Sequence, residues 1–486
     1  MFNGHFLDIA SAQYEDKILI IDTINLRAKV DYMDILRKNG FEMVLYTNDL
    51  QLRLDLESCK DAEKIAIVAQ PKDYIPYDIK QRYFSFEIKY ESLFPRLNAE
   101  ALINYKGLNF DMLAMAYRDD FDDHYELDQS LSFIEERVYS KSNIVKYVDA
   151  IFEALNEDIL KAKSIKDWFA IARKKAIADV EGAKVNYNGD ASSCNNKFKE
   201  YFLAKYGSLT MEIATKGPVL VKNAMEFMHD HSNKFVVIVM DGMSLFDWWI
   251  LRDSFGNLQF EEGYSCAMLP TTTSISRQCL LSNKFPSELE EPWKQSKEKA
   301  EFIKCAQDMG YDRLQIDYQR GYDVTFDTQI KCGAIIINDI DDMVHAQFDG
   351  REGMLEDVGK LANRSKLVHL VKKMLDEEFD VYITADHGNT PCVGIGKLKN
   401  TGIETETKSR RMLVLKDFAD KQVYLDKYGM IDLEKKTFLP KAFDYLLCAE
   451  GQSFDDKGDQ VMSHGGMTID EVIVPFITLK AVNNNG

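Results

Sequence analysis

The chain has 486 residues, 45% hydrophobic and 29% charged, a balance that fits a globular protein of about three domains at ~150 residues each. Sixty Lys and Arg against 79 Asp and Glu give a formal charge of −19, which excludes a surface-wide basic field for non-specific nucleic-acid binding and leaves only a local basic or metal-built site. The longest apolar runs fall far below the ~20 residues of a membrane helix and the first residues lack a signal peptide. Eight scattered Cys form no Cys-x-x-Cys pair, so a cytoplasmic protein with reduced thiols and no membrane partner is expected.

Three β-rich runs, Lys17 to Asp22, Glu42 to Tyr46 and Lys64 to Ala69, flank a helical pattern around Tyr32, Ile35 and Leu36 that stops at Gly40. They predict a small parallel α/β domain, receiver- or Rossmann-like, over 1–118. Asp22 at a strand end resembles a receiver domain, but the third strand runs into Gln70-Pro71-Lys72 without the Asp that such a domain phosphorylates. A structural or docking domain is the expectation. Asp119, Asp120, Asp122, Asp123, Glu126 and Asp128 then make an acidic surface or linker. Apolar residues at Ile144, Val145, Val148, Ile151, Phe152 and Leu155 recur every three or four positions, so 119–232 reads as a helical middle region. The polar stretch 186–193 interrupts it, and two further helices are expected before Ser232.

A second α/β region spans 233–486. Phe235 to Met240, Ala334 to Asn338, Val381 to Ala385 and Met412 to Leu415 are short apolar runs between helical patterns such as Val358 to Asp376, as expected of parallel strands buried on both faces. The first run ends in Asp241-Gly242, the second precedes Asp341 and His345, and the third ends in Asp386-His387-Gly388. Met462-Ser463 precedes His464-Gly465-Gly466. An Asp after a strand is often only a helix cap and a lone His only a satisfied core residue. In an open α/β sheet, however, the carboxyl ends of the strands converge on one crevice. Three Asp and three His delivered there make a divalent-metal site.

The order Asp-Gly, a Thr-rich turn opening a helix, Asp-x-x-x-His, Asp-His-Gly and a late His-Gly resembles the alkaline phosphatase superfamily, and within it the PglZ family associated with bacterial phage defence. The resemblance implies an alkaline-phosphatase-like C-terminal domain with a mainly parallel sheet between helices. It implies two divalent ions, Zn²⁺ with Mn²⁺ as the alternative. One would be held by Asp241, Asp386, His387 and the nucleophile, the other by Asp341, His345 and His464, with Asp342 in reserve for Asp341. The nucleophile lies among Thr271, Thr272 and Thr273. Related sulfatases carry Cys-x-Pro-x-Arg, and Thr273-Ser274-Ile275-Ser276-Arg277 matches that frame with Thr in the Cys position, so Thr273 is the first choice and Thr272 the second. The same substitution argues against sulfatase activity. Arg277 would support the nucleophile or a phosphoryl oxygen, or else anchor its helix through a salt bridge.

Lys397, Lys399, Lys408, Arg410 and Arg411 lie in an insertion that reads as a lid or as a solvated loop, and Trp248 and Trp249 read as core rather than a base-stacking platform. The expected function is a two-metal phosphohydrolase acting on a phosphodiester, a nucleotide or nucleic acid among the candidates, alongside other phage-defence proteins. The alternative is a scaffold or regulatory subunit with structural metals.

Overall fold

The computed structural model describes residues 1–105, 107–118, 124–398, 409–416, 421–433 and 438–481. Asp119, Asp120, Asp122, Asp123, Lys399 and Lys408 lie outside the described residues. The chain forms two compact units, 1–147 and 148–486.

In the first unit, β1 (Lys17–Asp22), β2 (Phe41–Leu45), β3 (Lys64–Ala69) and β4 (Phe84–Ile88) form an all-parallel sheet in the order β2-β3-β1-β4. The central strands β1 and β3 are the near-continuous apolar runs, because helices and loops cover both their faces. Leu19, Val44, Leu52, Ile65 and Ile67 pack together in the core, each burial contributing about 1.5–3 kcal/mol. The edge strand β4 escaped the sequence reading, since Ser85 and Glu87 alternate with its apolar residues and face solvent. Asp22 accepts hydrogen bonds from Leu26 N (2.8 Å), Arg27 N (3.1 Å) and the Tyr32 hydroxyl (3.2 Å). Its carboxylate is thus engaged in holding the loop that follows β1.

The second unit contains β5 (Phe235–Met240), β6 (Glu261–Cys266), β7 (Ile316–Arg320), β8 (Cys332–Ile337), β9 (Asp380–Thr384), β10 (Thr390–Gly394), β11 (Met412–Lys416), β12 (Ile431–Asp432), β13 (Phe443–Leu447), β14 (Gln452–Ser453), β15 (Gln460–Ser463) and β16 (Ile473–Leu479). Six of them make the main sheet in the order β6-β16-β9-β5-β8-β7. Strands β9, β5, β8 and β7 run parallel, and β16 is antiparallel to both β9 and β6. The expectation that Met412 to Leu415 joins these parallel strands is corrected. That run is β11, which pairs antiparallel with β13 in a separate three-stranded sheet, β11-β13-β12. Its four apolar residues are all buried, so the sequence pattern of a two-sided buried strand is genuine, but burial alone does not set strand direction.

The helical pattern around Val358 to Asp376 is two helices, Gly350–Arg364 and Lys366–Asp376, separated at Ser365, whose φ of +53° no helix interior accommodates. Helix Ile165–Ala183 starts with a capping box between Ser164 and Asp167. It carries the fully buried Lys175, whose ammonium reaches Asp179 and Asp470 (2.7 Å each), while Arg351 pairs with the same two carboxylates. Four charges in one buried cluster hold this helix to the segment just after His464. Trp248 is in the core and donates to Glu262 (2.9 Å), whereas Trp249 is flanked by the Arg173 and Arg252 guanidinium groups.

Candidate active site

Three adjacent parallel strands, β9, β5 and β8, end side by side, and each is followed by candidate ligands. Asp241 comes directly after β5. Asp386 and His387 stand two and three residues after the end of β9. After β8 the chain turns into helix Asp339–Ala346, whose four-residue step places Asp341 and His345 on one face, while Asp342 points to solvent. His464 arrives differently. It follows β15, which belongs to the small sheet β14-β10-β15, so it is delivered from beside the main sheet rather than from its carboxyl edge.

Helix Thr273–Ser282 opens at Thr273, with Thr272 extended before it. Ser276 fixes this helix by donating to Asp386 O (2.5 Å) and accepting from Met268 N (3.0 Å). The three threonines are thereby separated in space. Thr271 Oγ1 donates to Gly466 O (2.7 Å), and Thr272 is buried at the cap. Thr273 Oγ1 lies 3.2 Å from Asp241 Oδ1 and 3.1 Å from His387 Nε2.

His387 Nε2 is 3.8 Å from Asp241 Oδ1 and 3.7 Å from Asp386 Oδ2. In the neighbouring group, Asp341 Oδ1 is 3.3 Å from His345 Nε2 and 3.5 Å from His464 Nε2, and the two imidazoles are 3.5 Å apart. The far ring nitrogens of His387 and His464 are held by the carbonyls of Gly388 (3.1 Å) and Thr271 (3.2 Å), which orients both Nε2 atoms inward. A tetrahedral Zn²⁺ with bonds of ~2.0–2.1 Å has ligand atoms about 3.3 Å apart, so the donor spacings match those around a bound ion. Asp386 Oδ2 is fully buried and receives no hydrogen bond, a costly arrangement that a cation relieves. The residues present therefore fit divalent metal.

Electrostatics agree with the geometry. Burial and the neighbouring Asp386 charge raise Asp241 well above the usual carboxylate range, with Arg277 partly offsetting them. Burial also opposes the ionisation of Asp341, but His345, His464 and His387 overcome it and hold that carboxyl well below its ordinary value. Burial and the proximity of His387 depress His464 to about 3, leaving at neutral pH the uncharged imidazole form that metal coordination requires.

Gly388 is required by a close backbone approach and Gly465 by its positive φ and a crowding side chain. A Cβ on Gly388 would stand 2.0 Å from Asp470 O, and one on Gly465, at φ +107°, would meet Ser409 Oγ at 1.6 Å. Arg277 is fully buried, with Nη1 on Asp241 Oδ2 (2.6 Å) and Nε on Glu298 Oε2 (2.8 Å). Glu298 carried no sequence signal, being one acidic residue in a charged helix start.

Of the five cations named in the insertion, the three described are paired: Lys397 with Asp456, Arg410 with Asp455 and Arg411 with Glu471. Arg411 is buried rather than solvated. It also reaches Gln452 O (2.7 Å), while Glu471 accepts from Gly466 N (2.7 Å) in the turn after His464. Arg411→Met would leave the Glu471 carboxylate buried without its cation and should destabilise this unit by about 3–5 kcal/mol, measured by denaturant unfolding. A change under ~1 kcal/mol would show that the pair is dispensable.

A family model described as the BREX system PglZ alkaline phosphatase-like domain matches residues 220–479. The chain belongs to the PglZ family. The match takes in every strand of the main sheet and every residue of both candidate ligand groups. Among solved structures, the chain resembles murine ectonucleotide pyrophosphatase/phosphodiesterase 5 at 12% identity, over 50% of this chain and 87% of that one, with a TM-score of 0.37. The human ectonucleotide pyrophosphatase/phosphodiesterase 5 gives 13% identity, 51% and 87% coverage, and a TM-score of 0.33. Phosphonoacetate hydrolase from Sinorhizobium meliloti 1021, bound to phosphonoformate, gives 10% identity, 52% and 92% coverage, and a TM-score of 0.35. No curated protein matches the chain. Among the described residues, no helix is long and apolar enough to cross a membrane.

Proposed function

We propose that this PglZ chain is a two-metal phosphodiesterase with Thr273 as nucleophile, acting in bacterial phage defence. The observation that carries the reading is the position of Thr273 Oγ1. It is the only one of the three candidate hydroxyls within 3.2 Å of two members of a ligand group, Asp241 and His387.

Asp241, Asp386, His387 and Thr273 would hold one ion, and Asp341, His345 and His464 the other. Bound divalent ions would supply Lewis acidity, lowering the pKa of the threonine hydroxyl and offsetting charge on the phosphoryl oxygens. The chain's own contribution is placement. Ser276 pins the helix that carries Thr273, and the opening amides and positive dipole end of that helix face the phosphoryl group. Thr273 Oγ1 attacks phosphorus, forming a new O–P bond as the bond to the leaving alcohol breaks. Water then cleaves the Thr273–phosphoryl ester, releasing the second product and restoring the hydroxyl. Arg277 holds Asp241 in place through Oδ2 and keeps Oδ1 turned toward Thr273.

The test is a parallel assay of a chromogenic phosphodiester and the matching monoester, with and without chelator. The reading expects hydrolysis favouring the diester, lost on chelation and restored by Zn²⁺ or Mn²⁺. Equal turnover with chelator present would refute it.

A further inference from the structure

Behind Asp241 the site does not end in apolar packing. The Arg277 guanidinium is bridged between two carboxylates, Asp241 on its Nη1 edge and Glu298 at Nε, and both Arg277 and Glu298 are shielded from solvent. Glu298 is the first residue of helix Glu298–Asp308, where a carboxylate also complements the helix dipole. Its other oxygen, Oε1, takes hydrogen bonds from the Tyr318 hydroxyl and from Arg320 Nη2, both on β7. Glu298 is therefore held by three donors from two elements and has little freedom to rotate. Arg320 is about half exposed and borders an open cavity of about 380 Å³, so its outer side is not packed.

We propose that Glu298 is a positioning residue for the metal group built on Asp241. The inference rests on the two-metal reading above and extends it one shell outward. Its basis is charge sharing. Arg277 is a buried, permanent cation, and with two carboxylates beside it only part of its field falls on Asp241. The Glu298 charge offsets the Arg277 charge, which would otherwise repel a cation held at Asp241 Oδ1. Without the Glu298 charge, Asp241 is left as the one carboxylate hydrogen-bonded to Arg277 among the described residues. Its carboxylate is drawn toward the guanidinium and becomes a weaker ligand. Glu298 also fixes the rotation of the guanidinium, because Nε points at it while Nη1 points at Asp241. Outer-shell partners of metal ligands characteristically set affinity by about 10–100-fold, and the same range is expected here.

The experiment is a Zn²⁺ titration of the full chain against a chromophoric chelator, with circular dichroism as a check on folding. Glu298→Gln should weaken one of two sites by about 10-fold or more and leave the site of Asp341, His345 and His464 unchanged. In an Arg277→Gln background the same change should have no further effect, because the charge it balances is gone; a purely structural role would give additive losses. Tyr318→Phe and Arg320→Gln each loosen Glu298 without removing its charge, and each should weaken the same site by about 2–5-fold. They decide the matter should Glu298→Gln fail to fold. Wild-type affinity in all three variants, or additive losses in the double variant, overturns the inference alone. A wild-type chain that binds no Zn²⁺ overturns the two-metal reading and this inference with it.

Discussion

Thr273→Ala should lower phosphodiester turnover by about 10³-fold or more while leaving the fold and most of the metal in place. The covalent route has no substitute once the attacking oxygen is gone, and the remaining ligands supply only binding and charge stabilisation. The fold should tolerate the change, because a hydroxyl at a helix start contributes only about 1 kcal/mol as a cap. Thr273 Oγ1 makes its contacts with Asp241 and His387 rather than with the backbone amides of its own helix. Thr271→Ala should be mild for activity, since that hydroxyl is engaged with Gly466 O. If Thr272→Ala abolished turnover and Thr273→Ala did not, the nucleophile would be the buried cap residue. In cells where the chain supports phage defence, loss of protection in Thr273→Ala separates an enzyme from a scaffold. Full protection by that variant, with loss in Asp386→Ala, would mean that metal-supported structure is what counts.

Asp386→Ala and His464→Ala should each remove one ion from a chain that otherwise carries about two. Asp386 presents a buried oxygen that no hydrogen-bond donor reaches, and His464 presents an imidazole that burial keeps neutral, so each offers a free lone pair to a cation. Elemental analysis after dialysis in excess Zn²⁺ is the measurement. The expected result is about one ion per chain in either variant, with an affinity loss beyond the ~10–100-fold that outer-shell changes cause. Unchanged occupancy in both would remove these residues from the metal groups.

The parts of the fold that were legible in the sequence are those written in continuous apolar runs. Phe235–Met240 stands at the predicted bounds because it is central and covered on both faces. Strands β6 and β7 were not legible. Glu261-Glu262 and Asp317 put charge into strands that reach the rims of the sheet, and their apolar positions are too few to show a period. Direction was invisible as well, as β11 shows. At the site, strand-end residues such as Asp241 and Asp386 could be read because the chain itself delivers them to the crevice. The four-residue step from Asp341 to His345 was legible because helix geometry enforces it, and it separates Asp341 from the exposed Asp342. Partners brought together only by tertiary packing left no trace. Glu298 meets Arg277 across 21 positions, and Glu471 meets Arg411 across 60. Neither spacing corresponds to any local period, so no sequence pattern marks them.

The attack of Thr273 on phosphorus is tested most directly by the stereochemistry of the reaction. A phosphodiester chiral at phosphorus, hydrolysed by the metal-loaded chain in ¹⁸O-labelled water, passes through two in-line displacements if the threonine ester forms. Each displacement inverts the centre, so the account predicts net retention of configuration. Net inversion would show that water attacks the substrate in one step, and the role assigned to Thr273 would be contradicted.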